Sequence, residues 1–193
     1  MSEADDLVAA LAPVAAAFRS VGVRHYVGGS VASTLHGAIR STMDVDLVCD
    51  LRGDQVEAFL AACGNDFYRN VPTVRQAVDQ RSCFNLIHLP TAYKIDVFVS
   101  RGRPFDVLAL ERATVRDLGV DRSLAMPVAT VEDSIVSKLE WFRLGDEASE
   151  RQWGDVSRLL ALHGDALDVG HMRDMARSVG VADLLERLVA EGR

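Results

Sequence analysis

A short strand that runs through a glycine turn into a helix, and then into an aspartate-bearing strand, limits the possible folds of this chain. Residues 24–27 are predicted to form the first strand, and the turn Gly28-Gly29-Ser30 follows it directly. Serine is favoured at the start of a helix, and residues 44–49 have the valine- and leucine-rich composition of a strand. This alternation predicts an α+β domain with a mixed, twisted sheet flanked by helices.

The turn and the second strand both point to phosphate chemistry. Glycines let a backbone approach a ligand closely, and the first amides of the following helix can hold an anion. Asp44 and Asp46 stand two residues apart on a strand, so both carboxylates face the same way, roughly 7 Å apart. Two like charges on one face repel unless a cation lies between them, and Mg²⁺ is bound by carboxylates together with substrate phosphates.

A third carboxylate, Asp96, lies on a strand predicted over residues 93–99, on the face opposite Ile95. Three carboxylates converge if this strand is a neighbour of the one that carries Asp44 and Asp46. Such a set suits two metal ions about 3.5–4 Å apart, which clamp the attacking and leaving oxygens of an in-line displacement. In that arrangement Asp44 and Asp46 would bind both ions, and Asp96 would bind the ion near the nucleophile and help to deprotonate the nucleophile.

The charge and the hydropathy pattern exclude two classes of protein. The 193 residues hold 21 Lys and Arg against 28 Asp and Glu, a net charge of −7. A broad, non-specific nucleic-acid binder is therefore not expected, because that affinity comes from many basic contacts with phosphates. No run of about 18 apolar residues exists, so we expect no membrane partner.

The N-terminus and the cysteines favour a cytoplasmic protein. The first residues include three acids and no basic residue, so they predict a helix over residues 5–21, which Pro13 would bend or break, and not a secretory signal. Cys49, Cys63 and Cys83 form no CxxC pair and are odd in number. Neither a disulfide nor a zinc site is favoured by this pattern, whereas a reducing compartment fits it.

The pattern changes along the chain. Residues 1–112 read as an α+β core, and residues 113–193 read as a mainly helical part after one or two short strands between residues 114 and 128. Four helices are predicted in that part, over residues 131–144, 149–163, 171–178 and 181–190.

The order of these motifs resembles the nucleotidyltransferase superfamily that includes DNA polymerase β. Its pattern is a strand, Gly-Gly/Ser, a helix, Asp-x-Asp, and later a lone aspartate on a strand. Here Gly29-Ser30 is followed by thirteen residues, then by Asp44 and Asp46, and later by Asp96. The resemblance covers roughly residues 24–100. It implies a nucleotidyltransferase fold with a C-terminal helical subdomain.

The Arg-Ser-Thr run at residues 40–42 narrows the resemblance to abortive-infection and type IV toxin nucleotidyltransferases and related small proteins. Their helical part carries an Asp/Glu-x4-Lys motif and an Arg…Asp motif. Asp133 and Lys138 match the first motif, and Arg151 and Asp155 match the second. The family usually has Arg-Asp-x-x-Asp, and this chain departs from it because only Asp155 is in register.

The resemblance implies roles for individual residues. Gly29 and Ser30 would hold the triphosphate, and Arg40 would counter its charge. Lys138 would reach the nucleotide from the helical part and act with the three aspartates in catalysis. Asp155 would orient Lys138 or contact the base or ribose.

The expected reaction is transfer of a nucleoside monophosphate from an NTP to a hydroxyl acceptor, with Mg²⁺ or Mn²⁺ and release of pyrophosphate. The toxin relatives imply an RNA acceptor, in particular tRNA, and a cognate antitoxin protein as partner. The acidic composition is mildly against an RNA acceptor, unless basic residues such as Arg69, Arg75, Arg81, Arg101 and Arg103 gather on one side of the cleft. The alternatives are a small hydroxylated acceptor, as in aminoglycoside nucleotidyltransferases, a protein acceptor, or a non-catalytic nucleotide-binding partner.

Overall fold

A computed structural model describes residues 3–38, 44–119 and 124–192, and the predicted phosphate ligand Arg40 lies outside these ranges. The α-helices are α1 (Glu3–Ser20), α2 (Gly29–Leu35), α3 (Val56–Ala62), α4 (Val71–Asp79), α5 (Pro104–Arg112), α6 (Val131–Leu144), α7 (Glu150–His163), α8 (Val169–Ser178) and α9 (Ala182–Glu191). The strands are β1 (His25–Val27), β2 (Asp44–Cys49), β3 (Phe67–Tyr68), β4 (Cys83–His88), β5 (Lys94–Val99), β6 (Thr114–Leu118) and β7 (Leu124–Val128).

The strands form one mixed sheet in the order β3-β4-β5-β2-β1-β7-β6. The pairs β2–β5 and β1–β7 are parallel, and the other neighbours are antiparallel. Helices pack on this sheet, which confirms the predicted α+β class with a mixed sheet. No helix in the described ranges is long and apolar enough to cross a membrane.

One face of the sheet is the main hydrophobic core. Val45 and Leu47 of β2 and Ile95 of β5 point to this face and are fully buried, together with apolar side chains of α1, α3 and α4. Each such side chain contributes about 1.5–3 kcal/mol through burial. Because strand side chains alternate, burial of these three forces Asp44, Asp46 and Asp96 onto the opposite face.

Of the two predicted effects of Pro13, the break is wrong, since α1 continues through Pro13 from Glu3 to Ser20, and the bend stays a prediction. A proline inside a helix removes one backbone hydrogen bond. Here Leu11 and Val14, on either side of Pro13, are fully buried against the sheet. Packing of the apolar face therefore holds the helix together across the missing hydrogen bond.

The helices α6 to α9 enclose a second hydrophobic core, which includes Ile135, Leu139, Leu159 and Leu185. The strands β6 and β7 precede them and belong to the sheet, where Val27 of β1 pairs with residue 128 of β7. The described chain is therefore helical from Val131 onwards apart from connecting turns. The division of the chain at residue 112 remains a prediction.

The Asp133 side chain links α6 to the helices α5 and α8. Its side chain is buried, and its Oδ1 lies 2.7 Å from Nε2 of His171 in α8. Its Oδ2 accepts a hydrogen bond from the Thr130 hydroxyl at 2.9 Å and lies 3.5 Å from Nε of Arg112 in α5. Asp133 therefore joins three helices, and its contacts indicate a structural role for this part of the Asp-x4-Lys motif.

We expect Asp133→Asn to lower the free energy of unfolding by about 1–3 kcal/mol, because it removes the charge from a buried set of hydrogen-bonded partners. Chemical denaturation measures this change. Asp174→Asn is the matched control, since Asp174 pairs with Arg177 on the exposed side of α8 and should cost less than about 0.5 kcal/mol. Equal small losses in the two variants would show that the Asp133 contacts contribute little.

Candidate active site

A row of side chains crosses one face of the sheet at the centre of the molecule. Asp46 of β2 and Asp96 of β5 are directly paired in adjacent parallel strands, and Asn85 of β4 is paired with Asp96 on its other side. At the other end of the row, the backbone N–H of Gly28 donates to the carbonyl oxygen of Asp46 at 2.9 Å. The glycine turn and the carboxylates are therefore neighbours, although thirteen residues separate Ser30 from Asp44 in the chain.

Gly29 lets the turn lie directly against the Asp46 side chain. Its φ is +57°, and a Cβ at this position would lie 2.5 Å from Cγ and 2.9 Å from Cβ of Asp46. Real side chains do not approach so closely. The backbone N–H of Ser30 also donates to the Asp46 carboxylate. A residue without a side chain is therefore required where α2 begins.

Negative charge is concentrated at Asp46. Burial raises the pKa of Asp46, the nearby Asp96 charge raises that pKa further, and the positive charge of Lys138 opposes both effects. A carboxylate in such surroundings gains from a nearby cation. Asp44 lies on the same face at the exposed start of β2.

Asp96 is held by two polar side chains that the sequence analysis did not single out. Nζ of Lys94 lies 2.9 Å from Oδ2 of Asp96, and Nδ2 of Asn85 donates to Oδ1. Lys94 stands two residues before Asp96, so the strand alternation that pairs Asp44 with Asp46 already places it on this face. Asn85 carries no signal in the sequence, because its position depends on how β4 pairs with β5.

The three aspartates offer the oxygen ligands that Mg²⁺ and Mn²⁺ prefer. Among the residues that the structure describes, no group of three or more His, Cys, Asp or Glu side chains is placed to hold a metal ion by itself. The site fits a cation held by one or two carboxylates and completed by substrate phosphates, which is the usual form of a protein magnesium site.

The two C-terminal motifs meet on the facing side of the site. Nζ of Lys138 in α6 lies 3.2 Å from Oδ2 of Asp155 in α7, and the two side chains are only 12% and 15% exposed. Lys138 also acts electrostatically on Asp46 across the cleft. The structure thus brings together Gly29, Ser30, Asp46, Lys138 and Asp155, which are distant in the sequence.

A cleft of about 520 Å³ lies between this sheet face and the helices α6 and α7. Gly29, Ser30, Asp46, Lys138 and Asp155 line it. Phe98 and Trp141 line it as well, with ring centroids 5.5 Å apart in an edge-to-face arrangement. The cleft therefore combines charged groups at the carboxylates with an aromatic wall, a combination typical of small-molecule sites.

Three of the five arginines named for an RNA acceptor lie at this cleft, and two lie elsewhere. Arg81, Arg101 and Arg103 line it, and Arg103 is paired with both Asp106 and Glu140. Arg75 instead pairs with Glu57, and Arg69 donates to the carbonyl oxygens of Gly64 and Phe67.

No protein-family model and no curated protein matches the chain. Several solved structures, however, match the fold of the chain. The solution structure of the antibiotic-resistance factor ANT(2'')-Ia superposes with a TM-score of 0.56 over 98% of this chain and 99% of that one, at 12% identity. The crystal structure of ANT(2'')-Ia in complex with adenylyl-2''-tobramycin gives 0.53, with 89% and 97% covered at 14% identity.

An antigenic nucleotidyltransferase-like protein from Paracoccidioides brasiliensis gives a TM-score of 0.53 over 92% of this chain and 93% of that one, at 15% identity. These neighbours share the arrangement of the whole chain with very few identical residues. The chain therefore has the nucleotidyltransferase fold that its glycine turn and its three aspartates implied.

Proposed function

We propose that the protein is a metal-dependent nucleotidyltransferase, which moves a nucleoside monophosphate from an NTP to a hydroxyl acceptor. The observation that carries this proposal is the direct pairing of Asp46 with Asp96 beside the glycine turn, on the sheet face that borders the cleft. In the reaction, the acceptor oxygen forms a bond to the α-phosphorus. The bond from that phosphorus to the bridging oxygen breaks, and pyrophosphate leaves.

The residues of the cleft would have separate roles in this reaction. The turn at Gly29 and Ser30 would hold the triphosphate, and Lys138 would balance its charge from the opposite side. Asp155, 3.2 Å from Lys138, would keep that ammonium directed into the cleft. Preorganised charges of this kind act where charge develops in the transition state.

The three aspartates would hold the metal and handle the proton. Asp44 and Asp46 are the proposed ligands, with Asp96 on the acceptor side. A bound Mg²⁺ or Mn²⁺ would supply Lewis-acid polarisation of the phosphate oxygens. Asp96 would accept the proton of the acceptor hydroxyl while Lys94 and Asn85 hold its carboxylate in place.

The acceptor that we propose first is RNA, in particular tRNA. For a toxin-like enzyme, the implied setting is the cytoplasm, with a cognate antitoxin protein as partner. A small-molecule acceptor is the second candidate. The observation that favours it is the likeness to ANT(2'')-Ia, whose crystal structure holds adenylyl-2''-tobramycin.

We expect Lys138→Met to raise the KM for the NTP by about tenfold or more, because a charge-assisted contact with the phosphates contributes about 1.5–3 kcal/mol. Steady-state kinetics with varied NTP measure the change. Arg158→Met is the control, since Arg158 is an exposed basic residue of α7 outside the cleft lining. A KM equal to that of the unmodified protein would remove Lys138 from the nucleotide site.

Label transfer tests the proposed function. The protein is incubated with each α-labelled NTP, Mg²⁺ or Mn²⁺, and either total cellular RNA or an aminoglycoside, with Asp44→Ala/Asp46→Ala as the control. Label on RNA from the unmodified protein alone supports the RNA acceptor, and label on the small molecule supports the second candidate. Absence of both metal-dependent NTP binding and label transfer would overturn the proposal.

A further inference from the structure

We propose that a second cavity, at the edge of β4, receives the acceptor as a nucleotide that carries a free ribose hydroxyl. This inference rests on the proposed function and adds the place and the chemical class of the acceptor. The cavity has a volume of about 260 Å³. Its lining consists of Tyr68, Asn70, Thr73, Asn85 and Lys94 together with the apolar side chains of Val74, Phe84 and Ile87.

The cavity exists because β3 is very short. It pairs with β4 through Phe67 opposite His88 and Tyr68 opposite Ile87. The first half of β4, around Asn85, therefore extends beyond β3, and the start of α4 lies nearby with Asn70 and Thr73. A short edge strand leaves room for a ligand beside the sheet.

The position of the cavity suits an in-line displacement. Across the sheet face, the glycine turn at the end of β1 comes first, then Asp46 on β2, Asp96 on β5, and Asn85 on β4. The cavity adjoins the far end of this row, because Asn85 and Lys94 line it and both also contact Asp96. Attacking and leaving oxygens lie on opposite sides of the phosphorus. A triphosphate at the turn would direct pyrophosphate away from the cavity, and a hydroxyl in the cavity would face Asp96.

The lining chemistry favours a nucleotide. Lys94 is the charged residue that lines the cavity, and no acidic side chain joins it there among the described residues. The Lys94 side chain is 44% exposed. Its ammonium group has three N–H donors, and the hydrogen bond to Asp96 uses one of them. The Tyr68 ring is 60% exposed, and exposed aromatic rings stack on nucleobases. A partly exposed ammonium beside an exposed ring suits a phosphate and a base.

The lysine content of the chain makes the two sites separable in one experiment. Lys94 and Lys138 are its two lysines, against nineteen arginines. Lys138 lines the large cleft, and Lys94 lines the cavity at the β4 edge. A lysine-selective acylating reagent therefore reports on each site separately, with the N-terminal amine as an internal reference.

The test is ligand protection of these lysines, read by mass spectrometry of the acylated protein with Mg²⁺. A non-hydrolysable NTP analogue should protect Lys138, and a short single-stranded RNA with a free 3′ hydroxyl should slow acylation of Lys94 about fivefold or more. Protection of Lys94 by a mononucleotide alone would assign the cavity to free nucleotides and not to RNA ends. Protection by tobramycin but by neither nucleotide form would overturn the inference, as would no protection by any of them. Failure of the NTP analogue at Lys138 would instead count against the proposed function.

Tyr68→Ala should weaken RNA binding about tenfold and leave NTP binding unchanged, because base stacking on the ring is lost. Tyr68→Phe keeps the ring and should restore binding, which separates stacking from the hydroxyl group. Fluorescence anisotropy of a labelled oligonucleotide measures both variants, and the NTP analogue provides the parallel titration. Unchanged oligonucleotide affinity in Tyr68→Ala would contradict the proposed base contact.

Discussion

Asp46→Asn is expected to reduce nucleotidyl transfer by at least about a thousandfold, a loss comparable with removal of a group that stabilises transition-state charge. Of the three aspartates, Asp46 is the one that lines the cleft, and it also contacts the glycine turn and pairs with Asp96. Asparagine keeps the shape of the side chain, and its amide oxygen can still accept a hydrogen bond from the Ser30 N–H. It removes the negative charge that a metal ion requires. Transfer assays with the purified variant measure the loss.

The same variant should be more stable than the unmodified protein at neutral pH. Burial, followed by the Asp96 charge, raises the pKa of Asp46 above its ordinary value of 3.8, so the folded state binds this proton more tightly than the unfolded state. The ionised carboxylate therefore costs stability at pH values above the folded-state pKa. This cost disappears as the pH falls through the folded-state value towards 3.8, and asparagine does not incur it.

We therefore expect a higher Tm for Asp46→Asn at pH 7 and a smaller difference in acid. The exposed Asp54, paired with Arg52, provides the control variant Asp54→Asn, which should change neither transfer nor Tm appreciably. Full transfer activity in Asp46→Asn would contradict the mechanism. A lower Tm would show that the hydrogen bond from Ser30 outweighs the cost of the buried charge.

Gly29→Ala should impair both folding and activity. An L-residue at a φ of +57° costs about 1–2 kcal/mol, and the added Cβ would overlap the Asp46 carboxylate. The Asp46 carboxylate must then leave its position beside the glycine turn. We expect transfer to fall by at least about a hundredfold, since small displacements of reacting groups have effects of this size.

Gly64→Ala is a matched control for Gly29→Ala. Gly64 has a φ of +78°, and a Cβ there would meet nothing within 4 Å. Both variants should lose stability through the backbone, as chemical denaturation would show, whereas only Gly29→Ala should lose transfer activity. Equal activity in the two variants would show that the close approach of Gly29 to Asp46 has no role in the reaction.

Features with a local period could be predicted from the sequence. Alternation of apolar and polar residues in β2 and β5 placed the aspartates on one face, and the apolar spacing in the C-terminal part predicted α6 to its observed bounds. The order of the glycine turn and the aspartates implied the fold. The pair of Lys138 with Asp155 followed from the resemblance, and the structure brings these residues together.

Features that depend on distant pairing could not be predicted. Asn85 meets Asp96 because β4 lies antiparallel beside β5, and the cavity near Tyr68 arises because β3 ends early. No local pattern encodes either register. Pro13 shows the opposite case, because a local rule predicted a break and the burial of Leu11 and Val14 outweighs it.

The most direct test of the central claim follows each phosphorus of the NTP separately. The protein is incubated with metal, RNA and an NTP labelled at either the α- or the γ-phosphorus. For a nucleotidyltransferase, we expect the α label to become covalently attached to the acceptor and the γ label to be released in pyrophosphate. Transfer of the γ label to the acceptor, or release of inorganic phosphate in place of pyrophosphate, would contradict it.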